Sequence, residues 1–227
     1  FILMPLTILK IIFLTFKSLF FLKREKITIL ISTGGYMSLP LCLAAKILKI
    51  KIFLLEPNMI IGRANKFFLN FSEKIICYAN NIINYPSKFK NKLVILNPII
   101  RKKYYKKNFE KKNNKIFTIV IIGGSQGAKI FDKILHESIL KIAKTKSIKI
   151  IHQTNKKNID FLQSFYTKNQ IENIVFSFDQ NLDILLRQSD LCITRAGASS
   201  LAEIALLNIP FIAIPLPTSK DNHQYEN

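Results

Sequence analysis

Acidic residues are scarce in this chain: 14 Asp and Glu stand against 34 Lys and Arg, a formal charge of +20 over 227 residues. That balance favours an anionic partner, whether nucleic acid, anionic lipid headgroups or a diphosphate. Arginine is scarce too, limited to positions 24, 63, 101, 187 and 195, and the remaining cations are lysines set among isoleucine and asparagine. A nucleic-acid groove draws on clustered arginine with interleaved aromatics. The composition therefore speaks against a nucleic-acid partner and reads as charge spread over solvated faces. Three cysteines, Cys42, Cys77 and Cys192, are far apart, odd in number and embedded in apolar runs. They give neither a disulfide framework nor a metal site and read as small core residues in a reducing compartment. The apolar start lacks the short basic lead and small-residue cleavage site of a signal peptide. No paired carboxylates and no metal-ligand spacing occur. The chain opens on Phe1 and stops at Asn227 in what reads as the middle of an element, so it is expected to be a fragment.

What is present is apolar and periodic. At 49% hydrophobic residues, the chain has enough for one large domain or two small ones. Residues 1–22 are the most apolar stretch, with Thr7, Lys10, Lys17 and Arg24 falling into one narrow polar stripe and Pro5 suited to a helix start. The run is too short and too interrupted for a membrane span. Two readings remain: a core helix, or an amphipathic helix resting its Leu/Phe face on a membrane.

Strand, turn and helix then alternate. Ile27 to Ile31 reads as a buried strand, Leu39 to Leu48 as a helix, Lys51 to Leu55 as a strand, Arg63 to Phe71 as a helix, and Lys74 to Cys77 and Leu93 to Leu96 as strands. Residues 101–115, nearly all Lys, Asn and Tyr, suit a solvated linker. The pattern restarts with strands at 116–122, 149–153, 173–178, 191–194 and 211–214, and helices at 130–144, 159–168, 182–188 and 200–207. This predicts an α/β fold of two Rossmann-like, doubly wound halves, 1–101 and 115–227, joined by 102–114.

In such sheets ligands sit beyond the carboxyl ends of the strands, and the unusual residues fall there. Gly34-Gly35-Tyr36, Glu56-Pro57-Asn58, Gly123-Gly124-Ser125-Gln126-Gly127, Arg195-Ala196-Gly197-Ala198 and Asp221-Asn222-His223-Gln224 each follow a strand or lie shortly beyond one. Gly123 and Gly124 let the backbone approach a ligand, and Ser125 offers hydroxyl and amide donors to a diphosphate. Lys129 comes too late for a phosphate loop, and no third glycine completes a dinucleotide fingerprint, which argues against an ATPase or a dehydrogenase. At the helix after Gly197, Ser199 or Ser200 can cap, and Glu203 can either reach back to the cap or accept two ribose hydroxyls. His152 reads as a structural strand-end residue and His136 as a helix-surface residue. The polar cluster around His223 suits sugar recognition better than proton transfer.

Taken in order, these motifs resemble the MurG family of glycosyltransferases. Gly34-Gly35-Tyr36-Met37-Ser38 is similar to its second glycine loop. Glu56-Pro57-Asn58 is similar to its Glu-Gln-Asn, with Pro57 a departure, and Asn97-Pro98-Ile99-Ile100-Arg101 to its Asn-Pro-Val-Arg, with one residue inserted or shifted. The resemblance implies the glycosyltransferase B fold, two Rossmann-like domains facing a cleft, both incomplete here. It implies transfer of N-acetylglucosamine from UDP-N-acetylglucosamine to undecaprenyl-pyrophosphoryl-N-acetylmuramoyl-pentapeptide, with inversion, in peptidoglycan synthesis. It implies a peripheral place on the cytoplasmic side of the bacterial inner membrane. By the same resemblance Ser125 lies near the phosphates with Gly123, Gly124, Gln126 and Gly127, and Phe178 and Asp179 lie beside uracil. Gly197, Ala198, Ser199 and Ser200 meet the diphosphate, Glu203 the ribose, His223 and Gln224 the sugar. Asn58 and Arg101 sit at the cleft, and Gly34, Gly35 and Tyr36 face the lipid acceptor. Helix dipoles and amides would stabilise the leaving charge, with no metal or cofactor. The family's first glycine loop, with its candidate base, precedes anything present here, so the catalytic residue is unknown and UDP binding without turnover is expected. The alternatives are another UDP-sugar enzyme of this fold, such as an epimerase, or a non-catalytic module binding UDP-sugar or a membrane surface.

Overall fold

The computed structural model describes residues 4–105, 116–123, 130–217 and 222–227. The chain forms two units, Phe1–Pro98 with Glu226–Asn227, and Ile99–Tyr225, whereas the sequence reading carries the first half to Arg101.

In the first unit, β1 (Ile29–Ser32), β2 (Lys51–Glu56), β3 (Lys74–Cys77) and β4 (Leu93–Ile95) make a parallel sheet in that order. The two central strands alternate as a half-covered sheet should, with Ile52, Leu54, Ile75 and Cys77 buried. α2 (Leu39–Ile47) carries Pro40 in its first turn and buries Cys42, Ala44 and Ala45, small side chains that let a helix close down on its neighbours. α3 (Arg63–Phe68) buries Asn65 and Phe68. The expectation that β1 is a buried strand is corrected: it is an edge strand, and Ile29 and Ile31 stay 53% and 64% exposed. An apolar run marks a strand without saying which of its sides will find a partner.

α1 (Met4–Arg24) is the helix expected of the apolar start. Leu19 and Leu22 join the first unit's core. Leu6, Leu9, Phe13, Phe16 and Phe20, spaced three and four apart, form an exposed stripe, Phe16 at 66% and Phe20 at 73% exposure. Lys17 lies over the Phe13 ring at 4.8 Å. Among the described residues, no helix is long and apolar enough to cross a membrane.

The second unit holds β5 (Phe117–Ile122), β6 (Ile148–Gln153), β7 (Glu172–Phe176), β8 (Leu191–Arg195) and β9 (Phe211–Ile214), all parallel, in the order β7-β6-β5-β8-β9. The chain winds outward from β5 to β7, then returns to β5's other side at β8. β5 is covered on both faces. Ile119 and Ile121 pack with Phe131 of α4 (Phe131–Ile134), Ile139 of α5 (His136–Ala143), and Leu162 and Tyr166 of α6 (Ile159–Lys168). Val120 and Ile122 pack with Leu186 of α7 (Leu182–Arg187) and Ile204 of α8 (Ala198–Leu206). A strand buried on both faces reads as an unbroken apolar run, as 119–122 does.

Three expectations are revised here. The helix predicted over 130–144 is two helices divided at Leu135, whose backbone departs to φ −89°, ψ −13°. His136, read as a helix-surface residue, is half-buried; its ring stacks on Phe165 at 4.1 Å, and burial lowers its pKa. The stretch after Arg101 is no free linker at its start. Tyr104 is 2% exposed within the second core, its carbonyl accepts from Arg187 Nη2 at 2.7 Å, and Lys103 pairs with Asp183 at 2.9 Å. Tyrosine gives a polar-looking stretch a large apolar ring to bury.

Candidate functional site

The helices that follow β5 and β8 cover opposite faces of the sheet, which makes the carboxyl ends of these two strands the switch point at which ligands of such sheets bind. Ile122 is paired with Thr194, so Gly123 and Arg195 stand side by side one step further on. The Gly123 N–H donates to Gln153 Oε1 at 3.3 Å. Gly124, Ser125, Gln126 and Gly127 lie outside the described residues, as does Asp221.

On the β8 side Gly197 is the N-cap of α8, extended at φ −81°, ψ 127°, and no side chain among the described residues caps the helix. The expectation that Ser199 or Ser200 caps is corrected, because α8 begins two residues earlier than predicted and both serines fall within its first turn. The first helical bond runs from Leu201 N to Gly197 O at 3.0 Å. The N–H groups of Ala198, Ser199 and Ser200 therefore have no acceptor inside the helix, and the dipole adds positive potential where they point. An anion is the natural guest there.

Glu203 makes no capping box. Both of its oxygens are bound by Arg101, Nε at 2.8 Å and Nη2 at 2.9 Å, and Arg101 Nη2 also donates to the buried Tyr104 hydroxyl at 2.9 Å. The hydrogen bonds to Glu203 raise the Arg101 pKa. Two residues assigned to cleft and ribose are thus partners of each other. At the end of β7, Phe178 is 75% exposed, and Asp179 Oδ1 accepts from Asn181 N at 2.6 Å. His223 opens the short helix α9 (His223–Glu226), and Gln224 Oε1 accepts from Leu216 N at 2.9 Å just past β9.

In the first unit Gly34 and Gly35 both have φ +81°, a backbone conformation that glycine adopts without strain. A Cβ at Gly34 would press on Asn65 Oδ1 at 3.1 Å, and Tyr36 is 69% exposed. Asn58 is held rigidly. Its amide nitrogen donates to Glu56 Oε1 at 3.0 Å, and its Oδ1 accepts from Asn227 at 3.2 Å. Glu56, 3% exposed, also accepts from Gly62 N at 2.7 Å and Asn65 Nδ2 at 3.0 Å through its other oxygen.

Sequence reasoning named Glu56 and Arg195 within motifs without giving them a role, and passed over Asp132. Glu56 organises the loop that carries Asn58, which its place at a strand end signals. Arg195 Nε is buried with no partner among the described residues, and burial lowers the Arg195 pKa. A guanidinium close to the start of α8 adds to the preference for an anion at these strand ends. Asp132, buried in α4, accepts through Oδ2 from Thr154 Oγ1 at 2.8 Å and Asn158 Nδ2 at 2.6 Å, which ties α4 to the end of β6.

Two parallel sheets with their polar residues at strand ends, the second in Rossmann order, define a double Rossmann-fold protein of the glycosyltransferase B type. The description "Glycosyltransferase family 28 N-terminal domain" matches residues 3–77, and "Glycosyltransferase family 28 C-terminal domain" matches residues 118–227. A Pelagibacter ubique protein named UDP-N-acetylglucosamine–N-acetylmuramyl-(pentapeptide) pyrophosphoryl-undecaprenol N-acetylglucosamine transferase is 50% identical over 98% of this chain. The chain spans 63% of that relative's length. The crystal structure of Acinetobacter baumannii MurG superposes with a TM-score of 0.74 at 24% identity, covering 96% of this chain and 61% of that one. A Listeria monocytogenes structure described as a UDP-N-acetylglucosamine 2-epimerase reaches 0.68 at 9% identity, covering 95% of this chain and 64% of that one. These two likenesses establish the fold. The chain belongs to the MurG family within glycosyltransferase family 28.

Proposed function

We propose that this chain carries the UDP-N-acetylglucosamine site and the acceptor-side unit of an inverting transferase that glycosylates undecaprenyl-pyrophosphoryl-N-acetylmuramoyl-pentapeptide. The observation that carries the reading is the switch point between β5 and β8, where Gly123, the start of α8 and Arg195, whose Nε has no partner among the described residues, come together at a place suited to a diphosphate. Phe178, exposed at the end of β7, offers a face to uracil. Glu203 accepts the ribose hydroxyls, which must share or displace Arg101. His223 and Gln224 meet the sugar, and Ser125, Gly124, Gln126 and Gly127 complete the phosphate loop.

In the reaction the acceptor hydroxyl oxygen attacks the anomeric carbon, and the bond from that carbon to the β-phosphate oxygen breaks. UDP leaves with the electron pair, and the hydroxyl proton passes to a base. The negative charge that grows on the diphosphate is stabilised by the α8 amides and Arg195. Asn58, fixed by Glu56, and Gly34, Gly35 and Tyr36 face the acceptor in the first unit. The exposed stripe of α1 with Lys10 and Lys17 supports a peripheral place on the cytoplasmic side of the membrane, where the lipid acceptor resides.

Titration of the chain with UDP, followed by displacement with UDP-N-acetylglucosamine, UDP-glucose and UDP-galactose, tests the reading. Preferential displacement by UDP-N-acetylglucosamine is expected. Displacement by all three sugars alike would remove the specificity it asserts. Interconversion of UDP-N-acetylglucosamine with its 2-epimer would favour an epimerase.

A further inference from the structure

Tyr104 carries a hydroxyl to the second unit's core. Its ring is buried and packs with Val120, Leu186 and Ile204, and its carbonyl accepts from Arg187 Nη2 at 2.7 Å. A buried hydroxyl needs a partner. This one accepts from Arg101 Nη2 at 2.9 Å, and the guanidinium carbon lies 5.1 Å from the centre of the Tyr104 ring. The same guanidinium donates to both oxygens of Glu203. Arg101 is largely exposed at its side chain, and a long side chain loses much rotamer freedom when it is held in one geometry. Here the hold comes from a phenol on a ring locked in the core. Burial, and next the charge of Glu203, push the Tyr104 phenol above its ordinary range, so it stays neutral. An ionised carboxylate has about four acceptor positions, so the two Arg101 bonds do not exhaust Glu203, whose side chain is still partly exposed.

We propose that Tyr104 is a positioning residue: its hydroxyl holds Arg101, and through Arg101 it fixes the Glu203 carboxylate in the orientation that accepts ribose hydroxyls. This role rests on the reading of Glu203 as the ribose ligand, and it decides how the carboxylate is divided. The hydroxyls share Glu203 with Arg101, which stays in place. Loss of the Tyr104 hydroxyl therefore acts on a nucleotide through its ribose hydroxyls and spares base and diphosphate.

The test compares UDP with its 2′,3′-dideoxy analogue, which keeps base and diphosphate and has neither ribose hydroxyl. Both are titrated into the unchanged chain, Tyr104→Phe, Arg101→Ala, the double variant and Glu203→Gln. Tyr104→Phe keeps the buried ring and should weaken UDP roughly fivefold, the scale of one hydrogen bond, while leaving the dideoxy analogue within about twofold. Arg101→Ala should move the same way, and adding Tyr104→Phe to it should cost nothing more, since the hydroxyl acts through the arginine. Should Tyr104→Phe fail to fold, Arg101→Ala carries the comparison alone. Equal losses for the two nucleotides would make the hydroxyl a packing group only. Unchanged UDP affinity in a folded Tyr104→Phe, or tighter UDP binding by Arg101→Ala as expected if the ribose displaces the arginine, would likewise overturn the positioning role. In each of these cases a selective loss of UDP by Glu203→Gln leaves the ribose reading standing. An unchanged chain that binds both nucleotides alike, or binds neither, would overturn both.

Discussion

Arg101 grips Glu203 with two nearly parallel hydrogen bonds, 2.8 Å and 2.9 Å long, across 102 positions of sequence. The bidentate geometry suits guanidinium and not ammonium. Arg101 is 59% exposed at its side chain and Glu203 13%, so solvent screens half of the pair and its worth is modest. Arg101→Ala should lower the stability of the second unit by about 1 kcal/mol, and Arg101→Lys should recover little of it. Urea unfolding of the three proteins measures this; full recovery by lysine would show that charge alone matters.

Phe178 projects its ring into solvent, so its removal should not disturb packing. Phe178→Ala is expected to leave the unfolding midpoint in place while weakening UDP about tenfold, since a base stacked on an aromatic ring is worth about 1–3 kcal/mol. Calorimetry on one sample gives both numbers. A drop in stability with UDP binding intact would assign the ring to structure.

On α1, Phe16 and Phe20 are among the most exposed aromatic residues. Burying one phenylalanine is worth about 2 kcal/mol. The double change Phe16→Asp with Phe20→Asp should therefore reduce sedimentation with phosphatidylglycerol vesicles by at least about a hundredfold, with thermal stability kept. Undiminished vesicle binding would move the membrane contact elsewhere.

The three thiols are buried and free. Burial pushes Cys77 and Cys192 up to about 12, the nearby Glu56 adding to the effect on Cys77, and raises Cys42 as well. Since the thiolate is the reactive form, a disulfide dye at pH near 8 should find almost no thiol in the folded chain and all three in guanidinium. Rapid reaction of one thiol under native conditions would contradict the packing described for it.

Burial pushes the Asp132 carboxyl up, but its contacts with His152, Asn158 and Thr154 outweigh that and hold it below its ordinary value of 3.8. A carboxyl depressed in the folded state contributes stability that is present above the ordinary value and lost as pH falls through the folded one. Stability of the second unit should decline below pH 3.8, and Asp132→Asn should flatten that decline. Parallel acid titrations of the two proteins, followed by circular dichroism, decide it; superimposable curves would mean that other carboxyls govern acid unfolding.

Much of the fold was legible because it is written in short-range periodicity. The run Ile119 to Ile122 marks a doubly covered strand, and the helices of 39–47 and 159–168 follow from apolar spacing within a residue or two of their ends. The strand-end glycines were legible for the same reason, since a turn directly after a strand needs them. Misreadings fell where a neighbour distant in sequence decides. β1 looked buried but borders its sheet, Tyr104 looked solvated but fills a core, and α8 starts at Ala198 without a serine cap.

By itself, then, the sequence determined two parallel α/β units, the family, and which turns carry polar residues, because hydrophobic period and local turn chemistry act within a few residues. Tertiary structure alone decided which polar groups become partners: Arg101 with Glu203, Asp132 with Thr154, Glu56 with Asn58. A buried carboxylate must find donors, and which donors are within reach depends on the order in which strands assemble. The order β7-β6-β5-β8-β9 brings Asp132 to the end of β6 and Gly123 beside Arg195, and no local pattern in the chain encodes that adjacency.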